Sequence, residues 1–141
     1  MTKYRCWFDG ACEPINPGGT ATYGTVIEIV GGLTTTGSGY AGKGPEISNN
    51  VAEYAAVIHI LNCLILDDQC EEAVIYGDSQ LVIQQLSGKW KARGGLYMDY
   101  YRKALSLVED LKARGCNISF TWIPREQNEL CDQLSRGQVG L

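Results

Sequence analysis

Histidine is nearly absent: His59 stands alone among 141 residues, inside a helical apolar pattern, and no Gly-x-Ser-x-Gly elbow occurs. A serine–histidine–aspartate hydrolase is thereby excluded, and His59 reads as a packing residue. Cys-x-x-Cys pairs are also missing. Cys6, Cys12, Cys63, Cys70, Cys116 and Cys131 therefore read as small thiols in a reducing compartment rather than as a disulfide framework. Without clustered Cys and His ligands a tetrahedral zinc site has nothing to hold it. No apolar run reaches the roughly 18 residues that a membrane span requires, so no membrane partner is expected. The opening MTKYRCWFDG lacks the basic-then-apolar layout of a signal peptide, and the expected location is the cytoplasm. Repeats, linkers and low-complexity tracts are absent too, so residues 1–141 are expected to form a single domain, acting as a monomer.

Positive charge is scarce as well. Twelve Lys and Arg face 16 Asp and Glu, a net charge of −4, which argues at first against a nucleic-acid partner, because phosphate neutralisation by basic side chains normally supplies much of the affinity. The argument reverses if four acids are metal ligands: the rest then balance the bases, and bound divalent cations supply the positive charge.

What the chain does contain is clear periodicity. Tyr4, Cys6 and Phe8 alternate with Arg5, Trp7 and Asp9 as in a strand, which Gly10 is expected to end. Thr20 to Val30 and Leu33 to Tyr40, separated by Gly31-Gly32, read as a hairpin. Ser48-Asn49-Asn50 offer helix caps ahead of Val51, Tyr54, Ala55, Ile58, Leu61 and Ile65 at helical spacing. A short strand, Ala73 to Tyr76, leads into Gly77-Asp78 and a short helix from Ser79 to Leu86. A helix from Tyr97 to Leu111, a strand from Ile118 to Ile123 and a helix from Asn128 to Arg136 complete the order. The expected fold is α/β: a mixed five-stranded sheet, its first three strands antiparallel and its last two parallel to the first, flanked by helices.

Four acids fall at informative places. Asp9 and Asp78 follow strands, where open sheets with parallel segments bind ligands; Glu53 and Asp132 lie near helix starts. Each has an ordinary alternative. Asp9 fits a turn before Gly10, Asp78-Ser79 a helix cap, Glu53 the capping-box partner of Asn50, and Asp132 a favourable charge at a helix N-terminus. Four structural acids, however, have no reason to meet. By contrast Gly37-Ser38-Gly39-Tyr40-Ala41-Gly42-Lys43 only approximates a nucleotide-binding loop. Gly44-Pro45 follows, no Ser or Thr succeeds Lys43, and no helix starts at once.

The runs Phe8-Asp9-Gly10-Ala11-Cys12 with Asn16-Pro17-Gly18-Gly19, Ser48-Asn49-Asn50-Val51-Ala52-Glu53, Tyr76-Gly77-Asp78-Ser79 and Asn128-Glu129-Leu130-Cys131-Asp132 resemble the four signature blocks of type 1 ribonucleases H, in order and spacing. Trp122 to Asn128 is similar to the short form found in archaeal-like and transposon-associated members. The resemblance implies a ribonuclease H-like fold and an endoribonuclease that cuts the RNA strand of RNA–DNA hybrids, leaving 5′-phosphate and 3′-hydroxyl ends. It implies two magnesium ions, with manganese as a substitute and no small-molecule cofactor. Asp9 would bridge both ions, Glu53 and Asp78 complete one, and Asp132 hold the other. It further implies that Cys12, Asn16, Asn49, Ser79 and Gln80 read the minor groove, where 2′-hydroxyls separate RNA from DNA, and that Ser48 contacts a DNA phosphate.

Lys89-Trp90-Lys91-Ala92-Arg93 is either a solvated connection with a tryptophan over the core or a groove for the DNA strand through Trp90, Lys91 and Arg93. The longer basic protrusion of bacterial relatives is missing here, and so is their loop histidine before the last helix, for which Arg125 or Glu126 would substitute in product release. Two rival readings share the fold expectation: a DNA-directed nuclease or resolvase, and a non-catalytic hybrid-binding module.

Overall fold

The computed structural model describes residues 1–137. Its elements are β1 (Thr2–Glu13), β2 (Thr20–Ile29), β3 (Thr34–Lys43), α1 (Asn49–Ile65), β4 (Cys70–Gly77), α2 (Gln80–Leu86), α3 (Met98–Ala113), β5 (Asn117–Trp122) and α4 (Glu129–Ser135), with one 3-10 turn at Arg125–Gln127. The strands form one sheet in the order β3-β2-β1-β4-β5. β1 pairs antiparallel with β2 and β2 with β3, whereas β1 with β4 and β4 with β5 are parallel. The mixed sheet expected from the sequence is thus present. The hairpin between β2 and β3 turns at Gly31, whose φ of +79° favours a residue without Cβ.

One expectation is corrected in β1. Gly10 does not end the strand, which continues to Glu13. A Cβ on Gly10 would lie 2.5 Å from the backbone nitrogen of Glu53 and 2.6 Å from the carbonyl carbon of Ala52, so this glycine is where α1 rests on the sheet. β4 stops sooner: its last pair with β1 is Phe8 opposite Gly77. Beyond Phe8, β1 runs on paired only with β2, and Asp9 and Asp78 stand where β1 and β4 part.

The main core lies between the sheet and α1, α2 and α3. Cys6, Phe8, Ala73 and Ile75 project from the strands against Val57, Ile60, Leu61 and Leu64 of α1 and Val108 and Leu111 of α3. Full burial of each large aliphatic chain contributes about 1.5–3 kcal/mol. The buried face of α1 is wider than the sequence pattern indicated: Ala56, Val57, Ile60 and Leu64 are buried, whereas Ala55, Ile58 and Ile65 are only half-buried. The reason is that α1 packs against both the sheet and α3. Inside this core the Tyr54 hydroxyl donates to Gln85 Oε1 at 2.5 Å and Gln85 Nε2 donates to the Tyr97 hydroxyl at 3.0 Å, satisfying a buried amide while tying the three helices together.

A smaller cluster on the other face joins Val26, Cys131 and Leu134 to Trp7. It seats α4, whose terminal carbonyls are satisfied from the strands: Ser38 Oγ donates to Leu134 O at 3.0 Å and Thr22 Oγ1 donates to Ser135 O. Of the cysteines, Cys6, Cys12 and Cys131 are buried thiols and Cys63 is exposed. Cys70 and Cys116 depart from the expectation of six thiols. They stand at and just before the starts of the adjacent strands β4 and β5, with Cα atoms 5.6 Å apart, and are joined as a disulfide. Their separation of 46 residues hides a proximity that only the parallel register creates. No helix among the described residues is long and apolar enough to cross a membrane.

Candidate active site

The parallel register brings the site together. Phe8 lies opposite Gly77, so Asp9, the next residue of β1, and Asp78, the first residue beyond β4, stand side by side. Glu53 reaches them from α1, which crosses β1 at Gly10. Carboxylate oxygens of Asp9, Glu53 and Asp78 all lie within 4.8 Å of one another.

The ordinary alternatives for these acids do not hold. The α1 cap is Ser48, whose side chain accepts from Val51 N at 3.3 Å, so Glu53 lies beyond the first turn and has no capping-box role with Asn50. The α2 cap is Ser79, accepting from Val82 N at 3.3 Å, which frees Asp78 from that duty. Asp9 lies within a continuous strand rather than in a turn.

Electrostatically the three acids are costly neighbours. The Asp9 pKa is pushed up to about 7, first by burial and then by the charge of Asp78, against the opposing hydrogen bond from Gly10 N at 2.9 Å. Glu53 is raised well above the usual carboxylate range by burial, then by Asp9 and Asp78, and its Oε2 is buried without a partner. Asp78 is raised mainly by burial, while its own backbone N–H, the Arg125 charge and a hydrogen bond with Asn128 pull the other way. Three acids this close cannot all ionise comfortably unless a cation joins them. An all-oxygen donor set with an unpartnered buried oxygen fits a hard divalent cation.

Asp132, the fourth predicted ligand, lines the same cleft, but its carboxylate is not part of that three-way cluster. Its Oδ1 accepts from Arg136 Nε at 3.1 Å and lies 3.7 Å from Arg125 Nη2. The cleft, of about 470 Å³, is also lined by Cys12, Asn49, Ser79 and Arg125 among the predicted residues. Asn16 and Asn49 clasp one another across its rim: Asn16 Nδ2 donates to Asn49 Oδ1 at 2.8 Å, and Asn49 N donates to Asn16 Oδ1 at 2.9 Å. The Cys12 thiol is engaged internally, donating to Ile15 O at 3.2 Å, and Ser48 is buried as the α1 cap.

Gln80 opens α2, exposed. Trp90, Lys91 and Arg93 lie outside the cleft on the connection between α2 and α3, all exposed. Trp90 is 49% exposed and so does not cover the core. Glu126 faces a neighbouring cleft with Arg125, Glu129 and Asp132.

Four residues of the site escaped the sequence reading. Glu13 and Arg136 line the cleft and are paired at 2.6 Å; Trp122 lines it while donating through Nε1 to Asp78 O at 3.2 Å. Asn128 stands at the α4 cap position but makes no cap bond there. Buried instead, it donates through Nδ2 to Phe8 O at 2.9 Å and touches Asp78, with its Oδ1 unpartnered. Its amide therefore braces the point where β1 and β4 part, beside Asp9 and Asp78. The sequence marked Asn128 as the start of the last helix and as part of the block ending in Asp132, but not as a partner of β1.

A family model described as reverse transcriptase-like matches residues 8–137. The chain belongs to that family. Within it, the chain is similar to the bifunctional protein Rv2228c of Mycobacterium tuberculosis, 32% identical over 120 residues, which cover 85% of this chain and 31% of that protein. It is also similar to ribonuclease HI of Halobacterium salinarum, 33% identical over 133 residues, 94% of this chain and 62% of the relative. The chain thus spans about a third of the first relative and under two thirds of the second.

Among solved structures, the N-terminal RNase H domain of Rv2228c superposes with a TM-score of 0.81 at 29% identity, over 98% of this chain and 94% of that one. LC11-RNase H1, solved in complex with an RNA/DNA hybrid, superposes with a TM-score of 0.80 at 30% identity, over 96% of both chains. The strand order and the pattern of parallel and antiparallel pairs are those of the ribonuclease H fold.

Proposed function

We propose that this chain is a ribonuclease H: a divalent-metal-dependent endonuclease that hydrolyses the RNA strand of an RNA–DNA hybrid and leaves 5′-phosphate and 3′-hydroxyl ends. The observation that carries this reading is the desolvated triad of Asp9, Glu53 and Asp78, with an unpartnered Glu53 oxygen, at the mouth of a cleft rimmed by amide side chains. The similarity to a hybrid-bound ribonuclease H1 supports the choice of substrate.

Asp9, Glu53 and Asp78 would hold one magnesium ion and Asp9 with Asp132 a second. When bound, such ions supply an activated water and relieve charge on the phosphate and the leaving 3′ oxygen. The protein's own contribution is placement. β1 and β4 fix two acids in register, α1 adds the third, and Asn128 holds the strand ends so that the acids keep their spacing. Arg125, beside Asp132 and Asp78, is the cation available to a phosphate or to the departing 5′-phosphate end, whereas Glu126 points toward the adjacent cleft.

The Asn16–Asn49 clasp presents amide groups at the rim, suited to 2′-hydroxyls and base edges in a minor groove. Cys12 and Ser79 line the same cleft, and Gln80 is exposed next to Ser79 at the start of α2. Trp90, Lys91 and Arg93, exposed on their own connection, are offered to the DNA strand, and Ser48 acts by capping α1 beneath Asn49.

The test is cleavage of labelled RNA–DNA hybrid, duplex DNA and duplex RNA, each with and without magnesium. Magnesium-dependent cutting of the hybrid RNA strand alone is expected. Preferred cutting of DNA would replace this reading with a DNA-directed nuclease of the same fold, and binding without cutting would leave a hybrid-binding module.

A further inference from the structure

Arg136 is held between two acids that face each other across the cleft. Its Nε donates to Asp132 Oδ1 at 3.1 Å, one helical turn away, while its Nη1 donates to Glu13 Oε1 at 2.6 Å, at the far end of β1. Proximity to Asp132 and Glu13 holds its guanidinium above even the usual arginine range. Asp132 is the one acid of the predicted set whose carboxylate does not join the triad, and it is the one already partnered by arginine, with Arg125 Nη2 a further 3.7 Å neighbour. The triad's unpaired oxygen belongs to Glu53. The cleft is thus divided: the triad has only the more distant Arg125 charge beside Asp78, and the Asp132 side holds a guanidinium in direct contact.

We propose that Arg136 is a resident counter-cation that competes with the second metal ion for Asp132, and that Glu13 is the acceptor onto which it retires when that ion enters. The proposal rests on the two-metal reading above and adds an order to it. The first ion finds a ready site at Asp9, Glu53 and Asp78. The second must bind a carboxylate whose Oδ1 already holds a guanidinium, and a divalent ion and an arginine on one carboxylate repel strongly at such distances. The fork geometry makes the displacement feasible. Arg136 already bonds Glu13 through the other end of its planar group, so leaving Asp132 does not strand a charge. Loading of the second ion then depends on what else takes up the charge of the two arginines, and a substrate phosphate presented to Arg136 and Arg125 would do so. Arg136 is a positioning residue in this scheme, acting through Asp132.

The experiment is calorimetric titration of the intact chain, free of nucleic acid, with magnesium chloride and in parallel with manganese chloride. The wild type should show one tighter class of site, with the second weak. Arg136→Ala should leave the first class within about twofold and strengthen the second by about tenfold or more, the order expected on removing a like charge in direct contact. Arg136→Lys, which keeps the charge but cannot bond both acids at once, should fall between them. Glu13→Gln should weaken the second site in the wild-type background but change it by less than about twofold when Arg136 is already replaced by alanine, because Glu13 acts through the arginine.

An Arg136→Ala protein whose second site is no tighter would overturn the competition. Equal weakening by Glu13→Gln in both backgrounds would overturn the relay, since it would make Glu13 a plain contributor to the field. Failure of the two-metal reading has a different signature: no ion binds that Asp9→Asn abolishes, or only one ion binds in every variant.

Discussion

Replacing Asp9 by asparagine should stabilise the metal-free protein while destroying its cleavage activity, and the pH dependence of that stabilisation is the sharper of the two outcomes. Asp9 is buried, and its pKa is raised from 3.8 to about 7. A folded-state pKa above the unfolded value means that the native chain prefers the protonated carboxyl. The stability drawn from that preference is fully present below pH 3.8, and it is lost as pH rises through about 7. At about 1.4 kcal/mol for each tenfold change in proton affinity, the loss amounts to about 4 kcal/mol once the native group ionises. The substituted asparagine has nothing to ionise, and its amide oxygen can still accept from Gly10 N, as Asp9 does at 2.9 Å.

In EDTA, denaturant unfolding should therefore give wild type and Asp9→Asn equal stability near pH 4. The variant should pull ahead between pH 4 and 7 and lead by about 4 kcal/mol at pH 8, roughly 10 °C in melting temperature. Magnesium should close the gap by stabilising only the wild type. A variant no more stable than wild type at pH 8 without metal would refute the claim that Asp9 is held at an electrostatic cost. Retained hybrid cleavage would refute its role as a ligand.

Two further variants test the supports around this carboxylate, and a third, double variant tests the exposed basic connection. Gly10→Ala places a Cβ 2.5 Å from Glu53 N, so α1 must lift from β1; a loss of about 3 kcal/mol in denaturant unfolding is expected, together with a fall in metal affinity measured by titration. Asn128→Ala leaves Phe8 O without its 2.9 Å donor and should lower stability by about 1–3 kcal/mol. Because the strand ends are then free to drift, kcat for hybrid cleavage should fall more than KM rises. Lys91→Ala with Arg93→Ala removes exposed charges outside the cleft, and steady-state kinetics should show KM rising more than kcat falls, with an effect confined to kcat contradicting a role in binding the DNA strand.

Periodicity made the elements readable because burial follows period: Cys6 and Phe8 alternate into the core, and Val51, Tyr54 and Leu61 of the expected helical set are buried on α1, although Ala55, Ile58 and Ile65 of that set are only half-buried. Asp9 and Asp78 were legible for a related reason, since residues that follow paired positions on neighbouring parallel strands emerge together, whereas Glu53 joins them because α1 crosses β1 at Gly10 rather than because it begins a helix. Side-chain partnerships across long separations were not legible. Nothing local in Glu13, Arg136 or Asn128 signals that the first two pair over 123 positions or that the third bonds Phe8 across 120. The end of β1 was misread because Gly10 serves a helix crossing, and a glycine in sequence carries the same letter whether it turns the chain or admits a neighbour. Cys70 and Cys116 escaped notice for the converse reason, their contact depending on a strand register that spacing does not encode.

The acidic balance of the chain and its kinship with nucleases are compatible only if the positive charge that meets phosphate is partly borrowed. Among the residues lining the cleft, Asp9, Glu13, Glu53, Asp78 and Asp132 face Arg125 and Arg136 alone, so without metal the cleft repels a polyanion at the point where chemistry would occur. Burial has already raised the cost of leaving Asp9, Glu53 and Asp78 ionised, so a cation that enters both relieves strain in the protein and reverses the sign seen by substrate. Metal affinity and substrate affinity then become two readings of one free energy, each raising the other by the same factor. The exposed Lys91 and Arg93 do not line the cleft, and their charge adds to binding from outside it. A basic nuclease can hold its substrate first and collect metal afterwards; an acidic one built like this has to take at least one cation before the phosphate.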